Sequence, residues 1–303
     1  MNFRSLSGRT AVPVLAVVAV LLAGCAKATE ETPAPTTGAG PDLNAIQKDD
    51  ALAAKVPDLV KADGKIVVGT DPSYAPNEFK DANGKIIGFE VDLGTAIGKK
   101  LGLTADFVES KFDNIIPSLG AKYEVGISSF TDNKKREQVV DFVTYFNAGT
   151  LWAAKAGTTF DPDNACGHKV AVQATTVQDT EDLPARDKKC KDAGKPAIAI
   201  QKYDGQDEAT NAVVSGKAEA MLADSPVTSY AIKQAAGVLA AVGMVYDSAP
   251  YGIAVPKSSA ALRDAIRDAL TVLIADGTYG KILSQWGQSS GAVTTPVING
   301  ATS

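Results

Sequence analysis

The chain has 303 residues, 45% of them hydrophobic and 21% charged, with a formal net charge of −5. That is ample material for a packed core, and the length favours two domains over one. Mild acidity argues against a nucleic-acid partner, which normally needs a basic face, and glycine and proline are too sparse for a disordered chain.

Arg4 and Arg9 give a basic start, Ala11 to Leu22 is an apolar run, and Ala23 and Gly24 lead to Cys25. Basic, apolar, small is the layout of an export signal over residues 1–24, and the run is too short to span a membrane comfortably. Leu22-Ala23-Gly24-Cys25 also resembles the bacterial lipobox, which implies cleavage before Cys25 and a diacylglycerol on its thiol. The alternative is an ordinary secretory signal followed by an incidental cysteine. Residues 25–50 are rich in Thr, Pro, Ala and Gly, show no helical or strand period, and are expected to form a flexible tether.

Lys65 to Thr70 reads as a strand, and Leu93, Ala96, Ile97 and Leu101 recur at helical spacing behind Glu90 and Asp92. A strand at 105–108, a short helix at 114–119 and a strand at 123–128 follow. Thr131 or Asp132 is expected to cap a helix carrying Lys134, Lys135 and Arg136. A second series has strands at 169–172, 197–203 and 218–223, helices from Thr176 and over 206–215, and a closing strand near 242–246. Ser225 is expected to cap a helix with Pro226 at its first position, leaving Asp224 free at a strand end. Leu262, Ile266, Ala269, Leu270 and Leu273, then Tyr279, Ile282, Leu283 and Trp286, form two terminal helical stripes that read as core. The alternation implies an α/β fold with a mostly parallel sheet.

Cys166 and Cys190 remain after Cys25. In an exported chain they are expected to pair, worth roughly 3.5 kcal/mol in the chain-entropy model; two buried free thiols are the alternative. With His168 as the one histidine and no second cysteine pair, no metal site is expected. No cofactor is expected either.

Polar groups fall where apolar segments end, at Asp71 and Tyr74, at Phe112, at Ser128, Ser129 and Thr131, and at Arg136. Such junctions in an α/β domain point into a ligand crevice. Together these residues can hold a zwitterion, and they form no recognisable catalytic set. Arg136 can grip a carboxylate with two parallel hydrogen bonds, helped by backbone N–H groups at Ser129, Thr131 and Thr176. Asp71 and Asp224 suit an ammonium, Tyr74 and Phe112 can sandwich a side chain, and Ser128 is a hydrogen-bonding wall. The bland alternatives are a solvated helix arginine, a turn aspartate before Pro72, core aromatics and a strand-terminal serine.

Gly88-Phe89-Glu90-Val91-Asp92-Leu93, with Ile97, Gly98 and Leu101 behind it, resembles the signature of bacterial extracellular solute-binding proteins, family 3. Phe112-Asp113 with Ile115-Ile116-Pro117, Ser128-Ser129 with Thr131, Arg136, and Val140-Asp141-Phe142 follow in that family's order. Gly216-Lys217-Ala218-Glu219-Ala220 before Asp224, and Asp276-Gly277-Thr278-Tyr279, extend the resemblance over about residues 65–286.

The resemblance implies a two-lobed periplasmic-binding-protein-like fold of type II. Lobe 1 would hold 51–147 and 251–288, lobe 2 would hold 152–245, and 289–303 would be a tail. Two chain crossings are expected near 148–150 and 247–250. The function implied is a monomeric, lipid-anchored receptor on the extracytoplasmic face of the cell membrane. It would bind a polar L-amino acid and deliver it to an ABC permease, with no turnover of its own. Two departures leave the pocket shape open: Asn77 stands where an aromatic or apolar residue is usual, hinting at a polar ligand, and Ala174 where glycine is usual. The rival readings are an exported dehydratase-like enzyme on the same fold, a sensory receptor, and a structural envelope lipoprotein.

Overall fold

The computed structural model describes residues 41–302; the expected signal, Cys25 and the first part of the expected tether lie outside them. Two short helices, α1 (Asp50–Ala53) and α2 (Asp58–Lys61), precede β1 (Lys65–Thr70). A small antiparallel sheet of β2 (Ser73–Tyr74), β3 (Glu78–Lys80) and β4 (Ile86–Ile87) follows. Next come α3 (Phe89–Lys100), β5 (Thr104–Glu109), α4 (Phe112–Ser118), β6 (Val125–Gly126), α5 (Lys134–Glu137) and β7 (Val140–Lys155). The second half has β8 (Lys169–Gln173), a turn of π-helix at Gln178–Asp182 leading into α6 (Leu183–Asp192), β9 (Ala199–Tyr203), α7 (Gln206–Val214), β10 (Ala220–Asp224) and α8 (Ser225–Gln234). Then β11 (Leu239–Pro256) returns, and α9 (Ala260–Ala275) and α10 (Thr278–Gln285) close the fold.

Eight strands form one sheet in the order β5-β1-β6-β11-β7-β10-β8-β9. Pairing is parallel at each end, where β1 lies between β5 and β6, and β8 between β9 and β10. It is antiparallel in the middle, where β7 and β11 run side by side from Val140 opposite Pro256 to Lys155 opposite Leu239. Helices cover both faces, so the strands are buried on both sides and read as near-continuous apolar runs. In β7 only Asn147 and Lys155 are exposed.

The period-2 alternation of strands divides the second core into two layers. Trp152 and Ala154, Val170 and Val172, and Ala220 and Leu222 face one layer; Ala153, Ala171 and Met221 face the other. The larger first core joins Ile66 and Val68 of β1, Leu93 and Ile97 of α3, and Leu262, Ile266 and Leu270 of α9. The chain is thus two-lobed, with β7 and β11 as the two crossings. Gly149 lies where these strands approach each other: a Cβ there would sit 2.5 Å from the Tyr246 carbonyl oxygen.

Several expectations are corrected. The positions expected for the crossings, 148–150 and 247–250, lie in the middles of β7 and β11, and the strand expected near 242–246 is not separate but part of β11. Bulges between Val242 and Tyr246 and between Tyr246 and Ala249 absorb the turn-like residues, with Asp247 in the left-handed region (φ 48°). Asn133, not Thr131 or Asp132, caps α5: its side chain accepts from Arg136 N–H at 2.8 Å, while Asp132 accepts from Gly300 N–H. The described part of the expected tether is folded, because Leu43 and Ile46 pack on the first core and Asp49 N–H bonds the Lys100 carbonyl. The tail is held too: Asn299 bonds Asp141 and the Phe142 N–H, and Ile298 bridges Val143.

Cys166 and Cys190 are joined by a disulfide with Cα atoms 5.5 Å apart. It ties α6 to the turn before β8, within the second lobe. No helix among the described residues is long and apolar enough to cross a membrane.

Candidate functional site

The ends of β1, β8 and β10, the start of α4 and the segments after β6 and β8 meet at one narrow cavity. Asp71, Tyr74, Phe112, Ser128, Ser129, Thr131, Arg136, Thr176 and Asp224 all line it, joined by Gln173, Val177 and Gln178. This is the crevice beyond the carboxyl ends of parallel strands.

Arg136 is half-buried and lies over two stacked rings, 5.5 Å from the centre of Phe112 and 5.7 Å from Phe130. Its Nη1 donates to the Thr131 carbonyl (3.0 Å) and its Nη2 to the Thr175 carbonyl (3.2 Å). No salt bridge to it forms among the described residues, although every other arginine there has one. Burial lowers its pKa, opposed by the Asp224 carboxylate; an arginine stays charged regardless. A guanidinium with spare donors and no counterion is a ready partner for a carboxylate.

The acids are held differently. Asp71 is 7% exposed; its Oδ2 accepts from Gln173 Nε2 (2.8 Å) and Phe112 N–H (3.1 Å). Burial raises its pKa to about 6, opposed by hydrogen bonds from Ser73 and from the Phe112 N–H. Asp224 accepts from Gln178 Nε2 (2.8 Å) and Tyr251 Oη (2.7 Å), and burial raises its pKa as well. Asp224 occupies the cap position of α8 but makes no capping bond, and Ser225 is the first helical residue rather than the cap. The Asp224 carboxylate is therefore turned toward the cleft. Its N–H donates to Tyr74 Oη at 3.3 Å.

Thr131 forms an isolated antiparallel bridge with Tyr251 whose two bonds run through its neighbours, Asp132 N–H to Pro250 and Gly252 N–H to Phe130. Its own N–H and carbonyl therefore point away from β11, the carbonyl to Arg136. Thr176 Oγ donates to the Gln173 carbonyl (2.8 Å) and accepts from Asp179 N–H (3.3 Å). That closes the turn before the π-helical segment, with Thr175 left-handed at φ 64°. Ala174 sits beside this strained residue and needs no glycine.

Two expectations fail, one about a donor and one about ligand polarity. Ser129 N–H is taken by Glu90 Oε2 at 3.1 Å, so it is not open to an anion. Asn77 is fully buried behind the wall, where its Nδ2 donates to Ser129 Oγ (2.8 Å), and it is not among the cavity residues. It says nothing about ligand polarity. Sequence reasoning also missed Gln173, Gln178, Glu78 and Glu90. Gln173 ends β8, so the strand-end rule that selected Asp224 would have found it. Glu90 read only as an acid near a helix start; Gly88 (φ 140°) lets that start press on Asn77, whose carbonyl oxygen would lie 2.0 Å from a Cβ at 88. Among the described residues, no group of three or more His, Cys, Asp or Glu could hold a metal ion.

The family model for bacterial extracellular solute-binding proteins, family 3, matches residues 66–289. The chain is 39% identical to the arginine-binding protein ArgT of Corynebacterium glutamicum over 251 residues, 82% of each chain. It is 31% identical to the histidine-binding periplasmic protein of Salmonella typhimurium, over 73% of this chain and 87% of that one. The solved structure of an ancestral arginine-binding protein bound to arginine superposes with a TM-score of 0.68 at 36% identity, covering 74% of this chain and 98% of that one. These relatives are binding proteins by name.

Proposed function

The chain belongs to the bacterial extracellular solute-binding proteins, family 3, and from that premise we propose that it captures a polar L-amino acid between its lobes for delivery to an ABC permease. The observation that carries this reading is the counterion-free Arg136 in a cavity faced by two carboxyl groups. Arg136 takes the α-carboxylate. Carboxylate and ammonium share one carbon, so the cavity acid that acts on Arg136, Asp224, takes the ammonium. Asp71 is then left for the side chain, with Tyr74 and Phe112 supplying apolar area. An acid at that end favours a basic side chain, in keeping with relatives named for arginine and histidine. Hinge closure across β7 and β11 would seal the ligand; periplasmic binding proteins are a standard example of that motion.

The reading extends to the membrane. Cys25 would carry the lipid anchor that holds the receptor beside its permease. Metabolic lipid labelling tests this: label on wild type and none on Cys25→Ser is the expected result, and equal labelling removes the anchor. A thermal-shift screen of the twenty amino acids tests the ligand, because a specific ligand stabilises by mass action. Arginine, lysine or histidine should give the largest shift. No shift with any amino acid would remove the proposed function.

A further inference from the structure

The Ser128–Ser129 wall stands on two carboxyl groups that never reach solvent. Glu78 and Glu90 are each 0% exposed. No cation is among the groups acting most strongly on either. The direction of the hydrogen bonds around them follows from the N–H groups that donate to the two serines. Asp71 N–H donates to Ser128 Oγ (3.0 Å), so the hydroxyl hydrogen goes to Glu78 Oε1 (2.9 Å). Asn77 Nδ2 donates to Ser129 Oγ (2.8 Å), so that hydrogen goes to Glu90 Oε1 (2.7 Å). Ser129 N–H and Tyr145 Oη (2.6 Å) also donate to Glu90. Three donors suit a charged carboxylate. Glu78 receives one, at Oε1, and its buried Oε2 has no donor. Two fully buried carboxyl groups that act on each other with no cation beside them do not both carry a charge, so one of the two keeps a proton.

We propose that Glu78 holds this proton and Glu90 the charge, and that the acid pair is a positioning device turning both serine hydroxyls inward, so that Ser128 and Ser129 meet a ligand only as hydrogen-bond acceptors. An acceptor-only wall receives N–H groups and turns a carboxylate away. It therefore orients a zwitterion before any ion pair forms: nitrogen toward the serines, carboxylate toward Arg136. The pair also explains how Ser129 keeps its left-handed backbone (φ 51°), since Glu90 holds both its N–H and its hydroxyl. The other titratable groups facing the pair are Asp71, Tyr74, Tyr145 and Tyr251. All are acids or neutral phenols, so none supplies a positive charge that would draw the proton off the pair. Burial, then the Glu90 charge, places Glu78 well above the ordinary carboxyl range.

The sign of the linkage follows. The folded chain keeps a proton on Glu78 that the unfolded chain releases near the ordinary value of 4.5. Stability from this group is therefore full below that value and declines as pH rises toward the folded value. Glutamine copies the neutral acid, with a carbonyl for Ser128 and an N–H in place of the acid O–H, and cannot lose a proton.

Unfolding of ligand-free protein between about pH 5 and about pH 8 should thus show Glu78→Gln gaining on wild type by up to about tenfold in the folding constant per pH unit. Parallel wild-type and Glu78→Gln curves would overturn the protonated Glu78. The infrared difference spectrum of wild type minus Glu78→Gln should show a neutral-acid C=O band; its absence would also overturn the assignment. Titration with L-arginine is the third arm, and the one that rests on the amino-acid reading. Glu78→Ala should weaken binding about tenfold or more and Glu78→Gln should restore most of it, whereas Glu90→Gln should stay weakened, its amide placing a donor against Ser129 and Tyr145. Equal effects of the two glutamine variants would overturn the pairing. If wild type binds no amino acid, the proposed function fails while the unfolding and infrared arms still judge the acid pair.

Discussion

Two arginines of this chain sit over aromatic pairs in nearly the same way. Arg136 in the cleft lies 5.5 and 5.7 Å from Phe112 and Phe130; Arg186 in the second lobe lies 5.3 and 5.2 Å from Trp152 and Tyr246. Their counterions differ. Asp182 meets Arg186 Nε at 2.7 Å, and also receives Tyr246 Oη, so that guanidinium is satisfied within the fold. Arg136 has only two carbonyls. The same aromatic shelf serves a structural arginine where the chain supplies the anion and a recognition arginine where it does not. Aromatic stacking alone does not mark a site; the missing counterion does.

The sharpest way to break this comparison is to remove each guanidinium. Arg136→Ala should weaken amino-acid binding by about 10³-fold, some 4 kcal/mol, by leaving the ligand carboxylate unpaired in a closed cleft, while the ligand-free melting temperature changes little. Calorimetric titration and thermal unfolding of the same preparation check both halves. Next in size is the Cys166–Cys190 link behind Arg186. Replacing both cysteines by serine should cost about 3 kcal/mol in chemical unfolding and leave ligand affinity in place. Arg186→Ala should behave in the opposite sense to Arg136→Ala, lowering stability by about 2 kcal/mol because Asp182 loses its partner, with binding changed less than about threefold. If Arg186→Ala abolishes binding at unchanged stability, the two roles have been exchanged.

A smaller effect sharpens the cleft side. Asp71 must be charged to hold a cationic side chain, and its carboxyl sits at about 6. Affinity for a basic amino acid should therefore fall by up to about tenfold per unit as pH drops below about 6, and Asp71→Asn should flatten that dependence. The ligand-free stability contributed by the same group runs the other way, because its raised value means the folded chain holds a proton the unfolded chain has released. It is full below 3.8 and declines as pH rises toward about 6.

Much of this was legible in the residues, for local reasons. The strand at Lys65–Thr70 and the helices at Phe89–Lys100 and Ala260–Ala275 carry their period in their own side chains. The strand-end positions of Asp71 and Asp224 follow from where apolar runs stop. What was hidden depends on partners distant in sequence. Gly149, Asp247, Ser248 and Pro250 look like links, and only the pairing of β7 with β11 turns them into strand. Leu43 and Ile46 look like tether until the first core covers them. Glu78 and Glu90 could not be told from surface acids, since their burial comes from packing around Tyr145, Ser128 and Ser129. The availability of Ser129 N–H was misjudged for the same reason: its acceptor lies 39 residues away.

The central claim is that Arg136 waits for an α-carboxylate. The direct measurement is calorimetric titration of wild type and Arg136→Ala with the amino acid that gives the largest thermal shift and with its α-carboxamide. Wild type should bind the carboxamide at least about 100-fold more weakly than the amino acid, and Arg136→Ala should bind both with the same low affinity. A carboxamide that binds wild type as tightly as the amino acid would contradict it.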